Sequence, residues 1–165
     1  GKSSLISQVS AAKPKVAGYP FTTLAPKLGV VDMGMEGSFT IADIPGLIEG
    51  AADGHGLGHQ FLRHVQRTKT LLHLLSLGPD ESLDIVERYQ NIRAELEKYD
   101  PELAQKPEVI VLTKLDLVDE EELEIVLDLL RDVVGKRKIL RCSSLTGDGV
   151  NKVTKYVWRK LLGNQ

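Results

Sequence analysis

One cysteine, Cys142, is all that this chain of 165 residues carries, so an internal disulfide is excluded and the thiol usage fits a reducing compartment. An excess of charge of either sign is missing too. With 21 Lys+Arg against 23 Asp+Glu the formal net charge is −2, which argues against holding nucleic acid through bulk charge. Direct DNA binding is not expected, and only a local basic patch is left open. No apolar run approaches the roughly 20 residues of a membrane span, and the N-terminus has no signal-peptide pattern. The expectation is therefore a soluble, cytoplasmic chain with no membrane span. Repeats, low-complexity tracts and interdomain linkers are lacking as well. What is present, 42% hydrophobic and 27% charged residues, suits one globular domain that buries roughly 70% of its unfolded surface without metal or disulfide staples.

Apolar periodicity divides the chain. Leu5, Ile6 and Val9 open it in helical style, and this first helix fades at Ala12-Lys13-Pro14 with no strand before it. Leu28–Met33 and Phe39–Asp43 are short β-rich runs joined by Gly34-Met35-Glu36-Gly37-Ser38, which predicts a hairpin. From Pro45 to Gly58, five glycines exclude a packed element and make a loop able to move. Gln60–Arg67 reads as a helix leading into Thr70–Leu75, a nearly continuous apolar run of the kind buried on both faces of a parallel sheet. Within it His73 reads as a hydrogen-bonded core histidine, and no Cys joins the other histidines to suggest a metal site.

The rest alternates regularly. A helical stripe at Ile85, Tyr89, Ile92, Leu96 and Tyr99 stops before Pro101, and Val109–Leu112 is a buried strand. Asp119-Glu120-Glu121-Glu122 then opens a helix whose inner face is Leu123, Val126, Leu127 and Leu130. Lys138–Cys142 is another strand, and Gly149–Leu162 a closing helix. Strands alternating with helices predict right-handed crossovers and an α/β fold, a doubly wound, mostly parallel sheet with helices on both faces.

Four motifs carry chemistry. Gly1-Lys2-Ser3 matches the last three residues of a phosphate loop, G-x-x-x-x-G-K-[ST], on a helix N-terminus as that loop requires, with Ser4 next in the turn. In such a loop backbone N–H groups wrap the β-phosphate, the lysine neutralises β- and γ-oxygens, and the serine hydroxyl ligates Mg2+. A surface lysine at a helix start reads the same way. Asp43-Ile44-Pro45-Gly46 puts a carboxylate at a strand's carboxyl end, where it can hold a magnesium-bound water, and a glycine whose amide can reach a γ-phosphate. An ordinary Asp turn is the plainer account.

Thr113-Lys114-Leu115-Asp116 follows the buried strand, at the edge where open α/β sheets bind ligands. The Asp116 carboxylate can accept guanine N1–H and the exocyclic amine, which adenine does not offer, although a capping loop with a Lys and an Asp is ordinary. In Cys142-Ser143-Ser144-Leu145-Thr146-Gly147 the backbone N–H groups of Ser143, Ser144 and Leu145 can meet a purine O6. Each motif is weak alone. Their order, one per crossover along residues 1–147, points to a guanine nucleotide, GTP or GDP, with magnesium.

With these residues in view the sequence resembles the translation-factor-related GTPases, and specifically the Obg family. The resemblance is carried by Tyr19-Pro20-Phe21-Thr22-Thr23-Leu24-Ala25-Pro26-Lys27-Leu28-Gly29 and by Ala42-Asp43-Ile44-Pro45-Gly46-Leu47-Ile48-Glu49-Gly50-Ala51. It continues through Gly56-Leu57-Gly58-His59-Gln60-Phe61-Leu62-Arg63-His64, and the G-K-S, T-K-L-D and S-S-L pieces extend it over nearly the whole chain. It implies a P-loop NTPase G domain that hydrolyses GTP to GDP and phosphate, with two switches that GTP orders. It also implies that Lys2, Thr23 and Gly46 serve catalysis, and that Ser3, Thr23 and, through water, Asp43 hold Mg2+. Potassium is the family's further candidate cation. The implied output is large-subunit ribosome assembly and a stress response through guanosine tetraphosphate.

Three departures stand out. Thr113 replaces the usual Asn, Ser144 the usual Ala, and the first half of the phosphate loop is missing together with the strand before it. The expected domain is thus an Obg-type G domain over residues 1–165, truncated at its N-terminus and without its first strand. Leu47 occupies the slot in which small signalling GTPases carry a water-orienting glutamine; lacking a polar atom, it implies slow intrinsic turnover. Two other readings stay open: a nucleotide-binding scaffold with negligible hydrolysis, and an ATPase of the related family with a hydrophobic residue in that slot, which Asp116 disfavours. Arg63, Arg67 and Lys69 read either as RNA or partner contacts or as solvated charges.

Overall fold

The structure, a computed structural model, describes residues 2–11, 15–16, 27–44, 65–79 and 84–163. Contacts divide the chain into two units, Lys2–Lys69 with Ile92–Lys106, and Thr70–Asn91 with Pro107–Gln165. The described strands pair into two three-stranded sheets, one in each unit. No described helix is long and apolar enough to cross a membrane.

In the first unit, helix α1 (Lys2–Val9) buries Leu5 and Ile6. Strands β1 (Lys15–Val16), β2 (Lys27–Asp32) and β3 (Ser38–Ala42) pair antiparallel in that order, so the predicted hairpin is present. It turns through a 3-10 segment at Gly34–Glu36, where Gly34 takes φ +70° and its N–H donates to Asp32 Oδ1 at 2.8 Å. β1 has two residues, too few to show a period, and was not predicted. At Gly29 a Cβ would collide with Ser10 Oγ and press on Ile6, so glycine is what lets the first helix lie against β2.

Helix α2 (Ile85–Tyr99) is the predicted stripe, with Ile85, Tyr89 and Leu96 buried. It is followed by a short helix α3 (Pro101–Ala104), which Asp100 caps by accepting from Glu102 N at 3.0 Å and Leu103 N at 3.4 Å. Of the helix predicted over 60–67, residues 65 and 66 are described as helical; the glycine-rich loop at 45–58 lies outside the described residues.

In the second unit, strands β4 (Leu71–Ser76), β5 (Glu108–Thr113) and β6 (Lys138–Arg141) pair parallel with β5 in the centre. All six residues of β5 are buried, whereas burial in β4 alternates: Leu71, His73 and Leu75 are buried, Leu72, Leu74 and Ser76 half-buried. This corrects the expectation of a run buried on both faces. Among the described residues β4 pairs on one edge only, and an edge strand keeps part of one face open. Ile110 and Leu112 pack with Leu75 and Leu77 against Ile85 and Tyr89 of α2. Helix α4 (Glu120–Val134) adds Leu123, Leu130 and Val134 to the same core. Each such side chain contributes about 1.5–3 kcal/mol. Val109 and Val111 point to the opposite face and are equally buried, and helix α5 (Val150–Gly163) adjoins β6 with Val150, Val153 and Val157 buried. Both faces of the central strand are therefore covered.

A charged cluster sits at the amino end of β5. Glu108 is buried, with His73 Nδ1 at 2.7 Å, Arg137 Nε at 3.1 Å and the Tyr89 hydroxyl at 3.5 Å, while the His73 and Tyr89 rings stack at 5.0 Å. His73 is thus the hydrogen-bonded core residue predicted. Arg137 keeps 42% of its side chain exposed. In urea denaturation Glu108→Ala should lose about 3–5 kcal/mol, because it strands a buried ring nitrogen and an arginine. Arg137→Ala should lose about 1 kcal/mol, and equal losses would contradict the account.

At the end of α2 the Tyr99 hydroxyl is buried without a partner among the described residues, and burial, then the Asp100 charge, push its pKa from 10.0 to about 12. A folded pKa above the unfolded one gives stability that is complete below pH 10.0 and lost as pH rises toward about 12. Tyr99→Phe, lacking the orphan hydroxyl, should be at least as stable at neutral pH. In melts recorded from neutral to strongly alkaline pH it should lose less stability across that window; a Tm falling in parallel with the parent would contradict this.

A candidate nucleotide-binding site

The first turn of α1 carries Lys2, Ser3 and Ser4, all exposed, at the end where backbone N–H groups lack helical partners and the helix dipole is positive. Lys2 Nζ donates to the Ile44 carbonyl at 3.1 Å, so the lysine reaches the carboxyl end of β3 one residue beyond Asp43. Asp43 is held by the strand opposite. Its Oδ1 accepts from the Lys27 N–H at 2.8 Å, and its own N–H donates to the Lys27 carbonyl at 3.1 Å. The other carboxylate oxygen has no partner among the described residues. A serine hydroxyl and a carboxylate oxygen are hard donors of the kind magnesium takes, so Ser3 and Asp43 fit that ion.

In the other unit the loops after β5 and β6 are laced together. Leu115 N donates to the Cys142 carbonyl at 3.2 Å and Cys142 N to the Leu112 carbonyl at 2.8 Å. Lys114 takes φ +60°, ψ +39°, the one non-glycine residue at positive φ among those described, and starts the tight turn Leu115–Leu117 that carries Asp116. Ser143 is buried and its Oγ donates to Asp116 Oδ1 at 2.6 Å while accepting from Thr146 N at 3.2 Å. Asp116 is exposed and its second oxygen has no partner among the described residues, the arrangement needed to accept a pair of N–H groups.

Thr113 is buried and its hydroxyl has no partner among the described residues. Ser144 is half-buried, Lys114 exposed, and Leu145 83% exposed. Gly147 and Gly149, at φ +84° and +76°, carry the chain from this loop into α5; a Cβ at Gly149 would collide with the Arg141 carbonyl. Cys142 is fully buried, and burial, then the Asp148 carboxylate, push its thiol above the ordinary range, which suits packing rather than nucleophilic chemistry.

The structure thus brings together Lys2 with the end of the Asp43 strand, and Asp116 with Ser143. Gly1, Thr23, Gly46 and Leu47 lie outside the described residues. Two working groups escaped sequence reasoning. The Ser143 side chain, expected to matter only through its backbone, orients Asp116 across 27 residues, and the Lys27 amide anchors Asp43 across 16. No local spacing signals either contact.

Comparison with known proteins bears on the family and the fold. Residues 1–114 match the family described as 50S ribosome-binding GTPase. GTPase Obg of Magnetococcus marinus is 51% identical over 159 residues, 95% of this chain and 41% of that protein, so the chain spans less than half of this relative. The G domain of the T. maritima FeoB iron transporter superposes with a TM-score of 0.63 at 19% identity, covering 96% of this chain and 90% of that one. Era in complex with MgGDPNP and a segment of 16S ribosomal RNA does so with a TM-score of 0.67 at 21% identity, covering 96% and 52%. Those two likenesses bear on the fold, which is that of a P-loop GTPase G domain, as the α/β reading expected. The chain belongs to the 50S ribosome-binding GTPase family and, within it, to the Obg proteins.

Proposed function

We propose that this domain is a magnesium-dependent GTPase switch, hydrolysing GTP to GDP and phosphate. The hydrogen bond from Ser143 to Asp116 carries the reading, because it presents one free carboxylate oxygen and one oriented one at the strand edge where a guanine N1–H and amine would arrive. The N–H groups of Ser144 and Leu145 would receive the purine O6, and Lys114 would lie along the base. Lys2 would leave the Ile44 carbonyl for the β- and γ-phosphate oxygens and stabilise transition-state charge, with the amides of Gly1, Ser3 and Ser4 around the β-phosphate. Ser3, Thr23 and, through water, Asp43 would hold Mg2+, which when bound supplies neutralisation of phosphate charge. Gly46 would offer its N–H to the γ-phosphate, and GTP would order residues 19–29 and 46–60, releasing them on hydrolysis.

Leu47 has no polar atom with which to orient water, so slow intrinsic turnover is part of the proposal, with potassium or a partner supplying the remainder. The family match supports a cytoplasmic role at the large ribosomal subunit. Guanosine tetraphosphate presents the same guanine edge and would compete for Asp116.

Single-turnover hydrolysis by the full-length protein, with and without potassium and ribosomes, tests this. Lys2→Ala should slow the reaction about 10²-fold or more, as loss of a transition-state charge donor does. Leu47→Ala should change it little; a comparable loss there would sink the mechanism, and equal competition of ATP and GTP would sink the nucleotide assignment. Ser143→Ala, which frees Asp116 to swing, should weaken GDP binding about tenfold in calorimetry, the scale of a lost charge-assisted hydrogen bond. Unchanged affinity would remove Ser143 from the site.

A further inference from the structure

Helix α4 carries three unfavourable features that no ion pair or hydrogen bond among the described residues relieves, Arg131 being the one cation within the helix. Its inner face, Leu123, Leu130 and Val134, is buried, yet on the outer side Ile125 is 57% and Leu129 50% exposed. Four residues apart, these two lie one above the other as a single apolar row. Beside it runs a second row, Glu120, Glu124, Asp128 and Asp132, every member exposed and again four apart. Like charges at that spacing oppose the helix. The capping box of Asp119 with Glu122, and the positive end of the dipole, account for acids in the first turn. They do not account for Asp128, near the middle of the helix, or for Asp132 in the last turn, at the negative end where acids are unfavourable, and neither has an ion-pair or hydrogen-bond partner among the described residues.

We propose that this face docks a basic amphipathic helix of another protein. Its apolar seam would cover Ile125 and Leu129, and lysines or arginines one turn apart along its flank would pair with Glu124, Asp128 and Asp132. A helix matches the four-residue repeat of both rows, and cations there would turn self-repulsion within α4 into attraction. The acidic row repels phosphate, which disfavours RNA and anionic lipid at this face. A second copy of the chain fits poorly as well. Its own basic helix, α5, carries Lys152, Lys155, Arg159 and Lys160, but the valines that would form its seam, Val150, Val153 and Val157, are buried.

The test titrates a labelled synthetic helix of Leu and Lys, about five turns long, into the full-length protein and follows anisotropy, with a scrambled sequence of equal composition as control. The amphipathic peptide should bind, and raising salt from low to about 0.3 M should weaken it markedly. Ile125→Ser/Leu129→Ser and Asp128→Asn/Asp132→Asn should each weaken it about fivefold or more, the scale of a lost apolar contact or charge row. The second variant removes repulsion and unfavourable dipole contacts, so its Tm should stay or rise while docking falls, a combination that a purely structural role would not produce. Binding equal to that of the scrambled peptide, or indifferent to both variants, overturns the proposal. So does an RNA, an anionic vesicle or a self-association step that is lost with the same substitutions.

Discussion

Parallel pairing on both edges of β5 is the constraint from which the geometry of the Asp116 half of the site follows. Parallel strands joined by crossovers end on one edge of their sheet, so the loops after β5 and β6 are neighbours whatever they contain. Given that proximity, a serine buried at one strand end can hold a carboxylate carried by a tight turn at the other. The remaining question is register. Val109, Ile110, Val111 and Leu112 are all apolar, so hydrophobic burial alone would tolerate a one-residue slip that exchanges the two faces. Glu108 breaks that symmetry: its carboxylate meets His73, Tyr89 and Arg137, partners that no apolar neighbour in the strand could replace. A cluster at the amino end of the strand thereby sets where Thr113 and Asp116 emerge at the carboxyl end.

In the other unit the analogous anchor is backbone pairing. Asp43 follows the last residue of β3, yet its amide and its carboxylate both engage Lys27, so the ladder of the hairpin extends onto Asp43 itself. A side chain held this way has little conformational freedom left to lose, which is what preorganisation means in physical terms. Gly29 plays the complementary part on the opposite face of the same hairpin, where the absence of a Cβ lets Ser10 and Ile6 approach β2. The close approach that brings α1 onto the sheet also fixes the direction from which Lys2 extends toward the end of β3.

The near-neutral balance of the whole chain conceals two helices of opposite character. α4 and its cap concentrate carboxylates, while α5 carries Lys152, Lys155, Arg159 and Lys160, of which Lys160 lies in the last turn and suits the dipole. Composition averages these away, and the argument from net charge against bulk phosphate binding holds for the chain without describing either surface. Aliphatic exposure follows the same logic. Single exposed leucines need no explanation, but Ile125 and Leu129 are consecutive members of one helical row bordered by charge.

Local sequence is enough to place the helices and strands with a repeating apolar period, the hairpin of Leu28–Met33 with Phe39–Asp43, the acidic first turn at Asp119-Glu120-Glu121-Glu122 and the order of the four motifs. Each of those is written in residues within one or two turns of one another, and local sterics, capping and periodicity act at that range. Tertiary structure alone decided that β4 is buried on one face rather than two, that a two-residue strand at Lys15–Val16 joins the hairpin, and that the Ser143 side chain and the Lys27 amide are what hold Asp116 and Asp43. The reason is distance along the chain. Those partners lie 27 and 16 residues apart, and His73 and Glu108 lie 35 apart, so only the closing of crossovers and the pairing of strands brings them within hydrogen-bonding reach.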